Sequence, residues 1–142
     1  MIDISQKKAG KRTAAAEGKI SLGSAVIRKI KKDEVPKGDV LKTSEVAGLL
    51  AVKKTPSLLP HCHPVKITKA ALRFKTGQSD VAVRCEVEGI DRTGFEMEAI
   101  TGAAVALITI YDMCKVFGYG MEIGEIRLVK KTGGKSAVKE KK

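Results

Sequence analysis

Thr93–Lys115, TGFEMEAITGAAVALITIYDMCK, is the stretch from which the rest of the chain is read. Ala99, Ile100, Ala103, Ala106, Leu107, Ile110, Met113, Cys114 and, just beyond, Phe117 recur at helical spacing, which predicts one helix with a buried side. The small members of that stripe let another backbone approach closely. On a wheel of about 100° per residue, Glu98, Thr101, Val105, Asp112 and Lys115 fall on the opposite side. Glu98 and Asp112 are then about 21 Å apart at roughly 1.5 Å rise per residue, a span that suits an elongated polar ligand. Two readings of this face stand. It is either the solvated side of a core helix, with Asp112 and Lys115 a weak surface pair, or the wall of a site. Its few charges lie among Thr, Gly, Ala, Val and Ile, and charges held against such neighbours have shifted pKa values and tend to belong to sites. A membrane span is excluded, because the uncharged run Ala99–Tyr111 is shorter than the roughly 20 residues a bilayer requires.

Just before the helix, Val81, Val83, Cys85 and Val87 alternate with Ala82, Arg84, Glu86 and Glu88, the pattern of a strand with one buried and one wet face. A turn over Lys75–Asp80 joins it to an earlier strand over Val65–Phe74, whose apolar phase shifts near Lys69 and predicts a bulge. Further back, Asp39 is placed to cap a helix carrying Val40, Val46, Leu49 and Leu50, with Thr55-Pro56 as its end. Ser24 is placed to cap a shorter helix, and Gly18–Leu22 reads as a short strand. After the long helix, Gly118 is a C-cap and 123–129 a last strand. Strand, helices, strand, strand, helix, strand is the order of an α+β, ferredoxin-like split βαβ fold, an antiparallel sheet with helices on one face. The uncovered sheet face or an edge of such a fold is available for oligomerisation, so a homo-oligomer is expected.

The 142 residues suit one domain with a real core and are short for two. A formal charge of +11 implies an anionic partner: nucleic acid, a membrane surface or a phosphorylated small molecule. Much of that charge crowds the two ends, which predicts mobile basic ends over about 1–18 and 131–142. Cys62, Cys85 and Cys114 are odd in number and lack CxxC spacing, and the N-terminal run has no apolar signal core. Together these point to a cytoplasmic protein.

Pro60-His61-Cys62-His63-Pro64 offers imidazole and thiolate, but in an extended segment Cys62 points away from both histidines, so no metal site is expected. The segment is either a substrate-contacting loop with a histidine able to move a proton near neutral pH or a structural turn bracketed by prolines. Gly134-Lys135-Ser136 resembles the end of a phosphate loop, yet Val129 stands where that motif needs glycine. Its backbone amides and lysines either grip a phosphate or belong to a solvated tail. Lys37, beside Gly38 in a loop, reads locally as a surface lysine.

MIDIS near the start, PKGDV, LPHCHP, GFEMEA, ITIYDMCK and KKTGGKS occur in order over nearly the whole chain, and together they resemble the MoaC family of molybdenum cofactor biosynthesis. The resemblance implies a ferredoxin-like fold and a homohexamer, a trimer of dimers, with the active site shared across a subunit boundary. It implies a lyase activity that converts the 3′,8-cyclised dihydro-GTP made by the preceding radical enzyme into cyclic pyranopterin monophosphate with release of pyrophosphate. Carried over by motif, Asp112 and Lys115 are an acid/base pair, and Lys37 and His63 are further catalytic groups. His61, Cys62, His63, Glu96, Met97 and Glu98 contact the substrate, with Asp3, Lys7, Arg12, Lys131 and Lys135 adding binding contacts. No cofactor is required, and Mg²⁺ has a place only through the triphosphate or pyrophosphate. The chain departs from the common pattern at His61, often apolar, and at Ala15, where a basic residue is usual. Bases are expected toward Glu98 and His63 and phosphates toward the lysines. Two rivals stay in view, of which the first is suggested by the charge and by a fold shared with RNA-binding domains. An RNA-binding module lacks aromatic stacking platforms, with aromatics at only 4%. A non-catalytic oligomeric scaffold is told apart by Asp112→Asn, which a scaffold should tolerate and an enzyme should not.

Overall fold

A computed structural model describes residues 1–140; Lys141 and Lys142, which belong to the basic end expected to be mobile, lie outside the described residues. The elements are β1 (Gly10–Ser21), α1 (Ser24–Lys31), α2 (Val40–Leu58), β2 (Ile67–Thr76), β3 (Asp80–Asp91), α3 (Glu96–Cys114), a 3₁₀ turn (Lys115–Phe117) and β4 (Glu122–Thr132). The strands pair antiparallel in the order β2-β3-β1-β4, the ferredoxin-like α+β arrangement. Strand β3 alternates as its sequence dictates, with Val81, Val83, Cys85 and Val87 buried. The phase change near Lys69 is a register shift between Ile67 and Lys69.

The expected basic arm over 1–18 is corrected at its second half, because residues 10–18 belong to β1, the central strand. GKRTAAAEGKIS has little intrinsic strand character, being rich in Ala, Gly and Lys. It is held extended by ladders on both sides, from Gly10↔Asp91 to Ser21↔Asp80 against β3 and from Thr13 to Ser21 against β4. The small residues are there because α3 lies directly over the strand. A Cβ on Gly18 would stand 2.6 Å from Leu107 Cδ1. At the other end, Lys131 and Thr132 close β4, and Val138 pairs back onto Lys131.

Two helix boundaries also differ from expectation. α1 starts after Gly23, in the left-handed region at φ 81°, and Ser24 makes no capping bond. α2 runs through Pro56 to Leu58. Proline deletes one N–H in that last turn, while buried Thr55 stays helical, its Oγ1 donating to Ala51 O at 3.0 Å and its own carbonyl accepting from Leu59 N at 3.0 Å. Asp39 caps α2 as predicted, accepting from Lys42 N at 3.0 Å.

α3 packs across β1, β3 and β4 and alongside α2, which covers β2. By length and composition Glu96–Phe117 is apolar enough to cross a membrane. Here Ala99, Ala103, Ala106, Leu107 and Ile110 are wholly enclosed by sheet and helix. The tightest approach is at Gly102, which the predicted apolar stripe did not include: a Cβ there would fall 2.5 Å from Val52 Cγ2 and 2.7 Å from Cys85 Sγ. That fit holds the two ends of α3 in fixed places relative to the sheet.

Candidate active site

The chemically equipped residues gather at the two ends of α3. At the C-terminal end, Asp112 receives Lys115 Nζ on Oδ1 at 2.8 Å and Lys37 Nζ on Oδ2 at 2.7 Å. Lys37 reaches this point from the loop before α2, where Gly38 at φ 97° makes the turn, and it also donates to the Asp112 carbonyl at 3.0 Å. Hydrogen bonds from Lys115 first, then Lys37, hold the Asp112 carboxyl down at about 2, and its bond to Asp112 raises the Lys115 ammonium above the ordinary lysine value. All three side chains are about half exposed. The result is one anion fixed between two cations, with donor N–H groups left for an incoming phosphate or carbonyl oxygen. The pairing of Lys37 with the other two comes from the fold, since Lys37 lies 75 residues before Asp112 in sequence.

At the N-terminal end two adjoining hollows meet. The first, of 620 Å³, is walled by Met1, Ile2 and Ile4, by His61, Cys62 and His63, and by Glu96 and Met97. The second, of 820 Å³, is lined by Lys7, Lys8, Arg12, Arg92, Lys131 and Lys135, with Asp3, Glu96, Thr93 and Gly94 among them. Lys7, Thr93, Gly94 and Glu96 belong to both, so a ligand with an apolar ring and an anionic tail can lie across them. Lys131 pairs with Glu96 at 2.5 Å. Asp3 is occupied by Ser5, whose N–H donates at 2.8 Å and lowers the carboxyl. Arg12 is partly spent on structure, its Nε and Nη2 donating to the carbonyls of Asp91 at 2.9 Å and Arg92 at 3.1 Å. Burial, then Glu98 and Glu96, raise the Cys62 thiol, which favours its protonated form.

The structure thus brings Lys37, Asp112 and Lys115 together, and separately brings His61, Cys62, His63, Met97, Glu96, Arg12, Lys131, Lys135, Asp3 and Lys7 together. His63 does not meet the lysine–aspartate cluster, because Glu96 and Asp112 stand about 24 Å apart along α3 at roughly 1.5 Å per residue. Lys8 and Arg92 were not foreseen. The only signal for Arg92 was its place in the Asp91–Gly94 turn that aims at the N-terminus of α3, where anions are favoured. It also ties down the N-terminal segment, donating to Ser5 O at 3.1 Å.

Glu98 is the correction on this face. Rather than standing on the open side with Thr101 and Asp112, it is 1% exposed, and its Oε1 has no hydrogen-bond partner among the described residues. The wheel failed there because Glu98 shares its side of the helix start with Phe95, Ala99 and Gly102, all buried, so the enclosed arc is wider than the apolar stripe indicates. Burial, reinforced by Glu96 and Asp91, pushes the Glu98 carboxyl up to about 7 from 4.5. A carboxyl raised on folding stabilises the folded state fully below the unfolded value and loses that stabilisation as pH rises through the folded one. Between pH 5 and pH 8 the chain should therefore lose up to about 3 kcal/mol, a loss that Glu98→Gln abolishes. Urea unfolding at the two pH values checks this, and an unchanged slope in the variant would assign the effect elsewhere.

Fold and site together define a ferredoxin-like α+β protein with a cationic cleft at one end of its long helix and an acid–amine cluster at the other. A family model for the MoaC family matches residues 1–134. The chain is 44% identical over 138 residues to the cyclic pyranopterin monophosphate synthase of Clostridium perfringens, covering 96% of this chain and 87% of that one. It is 44% identical over 140 residues to the protein of the same name from Pelobacter propionicus (97% and 88%), and 43% identical over 143 residues to that of a Thermoanaerobacter species (99% and 90%). The chain belongs to the MoaC family.

Proposed function

We propose that this chain is a cyclic pyranopterin monophosphate synthase, a lyase that converts the 3′,8-cyclised dihydro-GTP into cyclic pyranopterin monophosphate and pyrophosphate. The observation that carries the reading is the pairing of two ammonium groups on one helix-borne carboxylate, in a relative matched over almost its whole length to proteins of that name. Rebuilding a purine-derived ring while a triphosphate loses pyrophosphate requires proton transfers at several atoms and cations that accept the growing phosphate charge. Lys115 is the proton donor, and Lys37 holds developing anionic charge. Asp112, ionised far below neutral pH, aligns both amines and takes a proton only once substrate has displaced one of them.

The ring lies in the hollow of His61, Cys62, His63 and Met97, and the phosphates lie toward Lys7, Arg12, Lys131 and Lys135. Buried Glu98 stands beneath them, ready to accept from the guanine-derived N–H groups if Met97 or the loop yields. The two ends of α3 are too far apart for one small substrate to touch both, which replaces the expectation that one elongated ligand spans them. A working site therefore takes the lysine–aspartate cluster from one copy and the cleft from another, within a homohexamer of three dimers in the cytoplasm. No resident cofactor is required, and Mg²⁺ enters with the phosphates. Incubation with the cyclised dihydro-GTP should yield pyrophosphate and the pterin in equal amounts, and absence of both from the assembled protein would overturn the assignment.

A further inference from the structure

On the sheet face away from the helices, Arg84 of β3 is surrounded by carboxylates: Glu17 at 2.6 Å, Glu86 at 2.9 Å and Glu140 at 2.7 Å. Glu140 is the one that arrives from outside the sheet, and it is held bidentately, Arg84 Nη2 reaching its second oxygen at 3.2 Å. The chain between β4 and Glu140 turns back at Gly133, which adopts φ 86° and lies so close to the Lys11 carbonyl that a Cβ would collide with it. Lys131 and Val138 then exchange both backbone hydrogen bonds, at 3.0 and 3.1 Å. Beyond that single bridge the tail does not lie flat. It arches over a 470 Å³ hollow between Val138–Glu140 and the Glu17, Arg127 and Leu128 positions. One isolated bridge is marginal by itself, so the Glu140 carboxylate is what pins the far side of the loop.

The near side of the same loop carries Lys135 and Ser136 onto the rim of the cationic cleft. We propose that the Arg84–Glu140 pair is a positioning latch, which fixes the 132–138 loop from the opposite side of the sheet so that Lys135 is held ready at the phosphate end of the cleft. The proposal rests on the reading of that cleft as the phosphate site. A loop ordered in advance binds more tightly because less conformational freedom is lost when the ligand arrives. The latch therefore acts on affinity and leaves the proton-transfer cluster at the other end of α3 untouched.

Calorimetric titration of the full chain with inorganic pyrophosphate, alongside steady-state turnover, tests it. Glu140→Gln keeps the shape and removes the charge, and should weaken pyrophosphate binding by about 2- to 5-fold, the range of a single exposed ion pair. KM should rise by the same factor at unchanged kcat. Arg84→Lys, which keeps the charge and loses the two-pronged grip, should act in the same direction. In a Lys135→Ala background, Glu140→Gln should add nothing, since the latch works through that lysine. Wild-type affinity in Glu140→Gln, losses that multiply with Lys135→Ala, or a fall in kcat at constant KM would each overturn the latch. If Glu140→Gln behaves as wild type while wild type turns over substrate and binds pyrophosphate, the latch alone fails. If wild type does not bind pyrophosphate, the phosphate cleft fails with it.

Discussion

Asp112→Asn should lower turnover by about 10²- to 10⁴-fold, the range associated with losing a positioned proton-transfer group, while the chain keeps its fold and its assembly. Asparagine has nearly the same shape, and the position is half exposed, so little packing is disturbed. What disappears is the negative charge held between Lys37 and Lys115, which lie 2.7 and 2.8 Å from its two oxygens. Without it the ammonium groups repel each other, Lys37 loses the partner that draws it across from the loop before α2, and the bond that raises the Lys115 pKa is gone. KM should change less than kcat, because the substitution leaves every lysine and arginine of the cationic cleft in place. Pyrophosphate release reports the rate, and light scattering with circular dichroism reports assembly and fold. Wild-type turnover in this variant would remove the cluster from the chemistry. The acid limb of the pH profile is a second check. The Asp112 carboxyl is lowered to about 2, so the cluster keeps its charges down through pH 4, and a loss of rate around pH 6 must come from other groups.

How much of this was legible before the fold was known depended on how local each cause is. Strand β3 could be read residue by residue, because burial on one face imposes a period of two. The bulge at Lys69 and the Asp39 cap are likewise decided by neighbours in the chain, whereas Gly118, expected to cap the long helix, caps the 3₁₀ turn that follows it, α3 itself ending at Cys114. Strand β1 could not be read that way. Ala14, Ala15 and Ala16 resemble a helix or loop until α3 is placed across them, and only the pairing of β1 with β3 and β4 keeps those residues extended. Lys37 looked like any surface lysine, and its partner is set by tertiary contact alone.

Glu98 was misplaced for the same kind of reason, since a helical wheel knows the direction of a side chain and nothing about what covers it. Site residues such as His63 and Lys131 were reached through a family resemblance, because a spacing of 68 residues carries no periodic signal. What no inspection of one chain supplies is the joining of the two clusters. The geometry of α3 does constrain it, because a rigid helix keeps them apart by a distance that no side-chain rotation can close.

That separation makes the second large effect. His63→Ala empties the cleft end of an imidazole, and Asp112→Asn disables the cluster end. Each homogeneous protein should then be nearly inactive, for different reasons. If every working site draws its cluster from one copy and its cleft from another, subunits exchanged between the two variants at equal amounts generate some sites in which both halves are intact. With random mixing about one site in four receives a sound cluster from a His63→Ala chain and a sound cleft from an Asp112→Asn chain, so activity should recover to about a quarter of the wild-type value. Mild denaturation and joint refolding would achieve the exchange, with separately refolded variants combined afterwards as the baseline. Recovery confined to the jointly refolded sample places the active site between chains. Failure to recover, in a sample where mass spectrometry shows mixed oligomers, would require each chain to fold its own cluster and cleft together. The 24 Å or so of intervening helix then leaves no single small substrate able to use both.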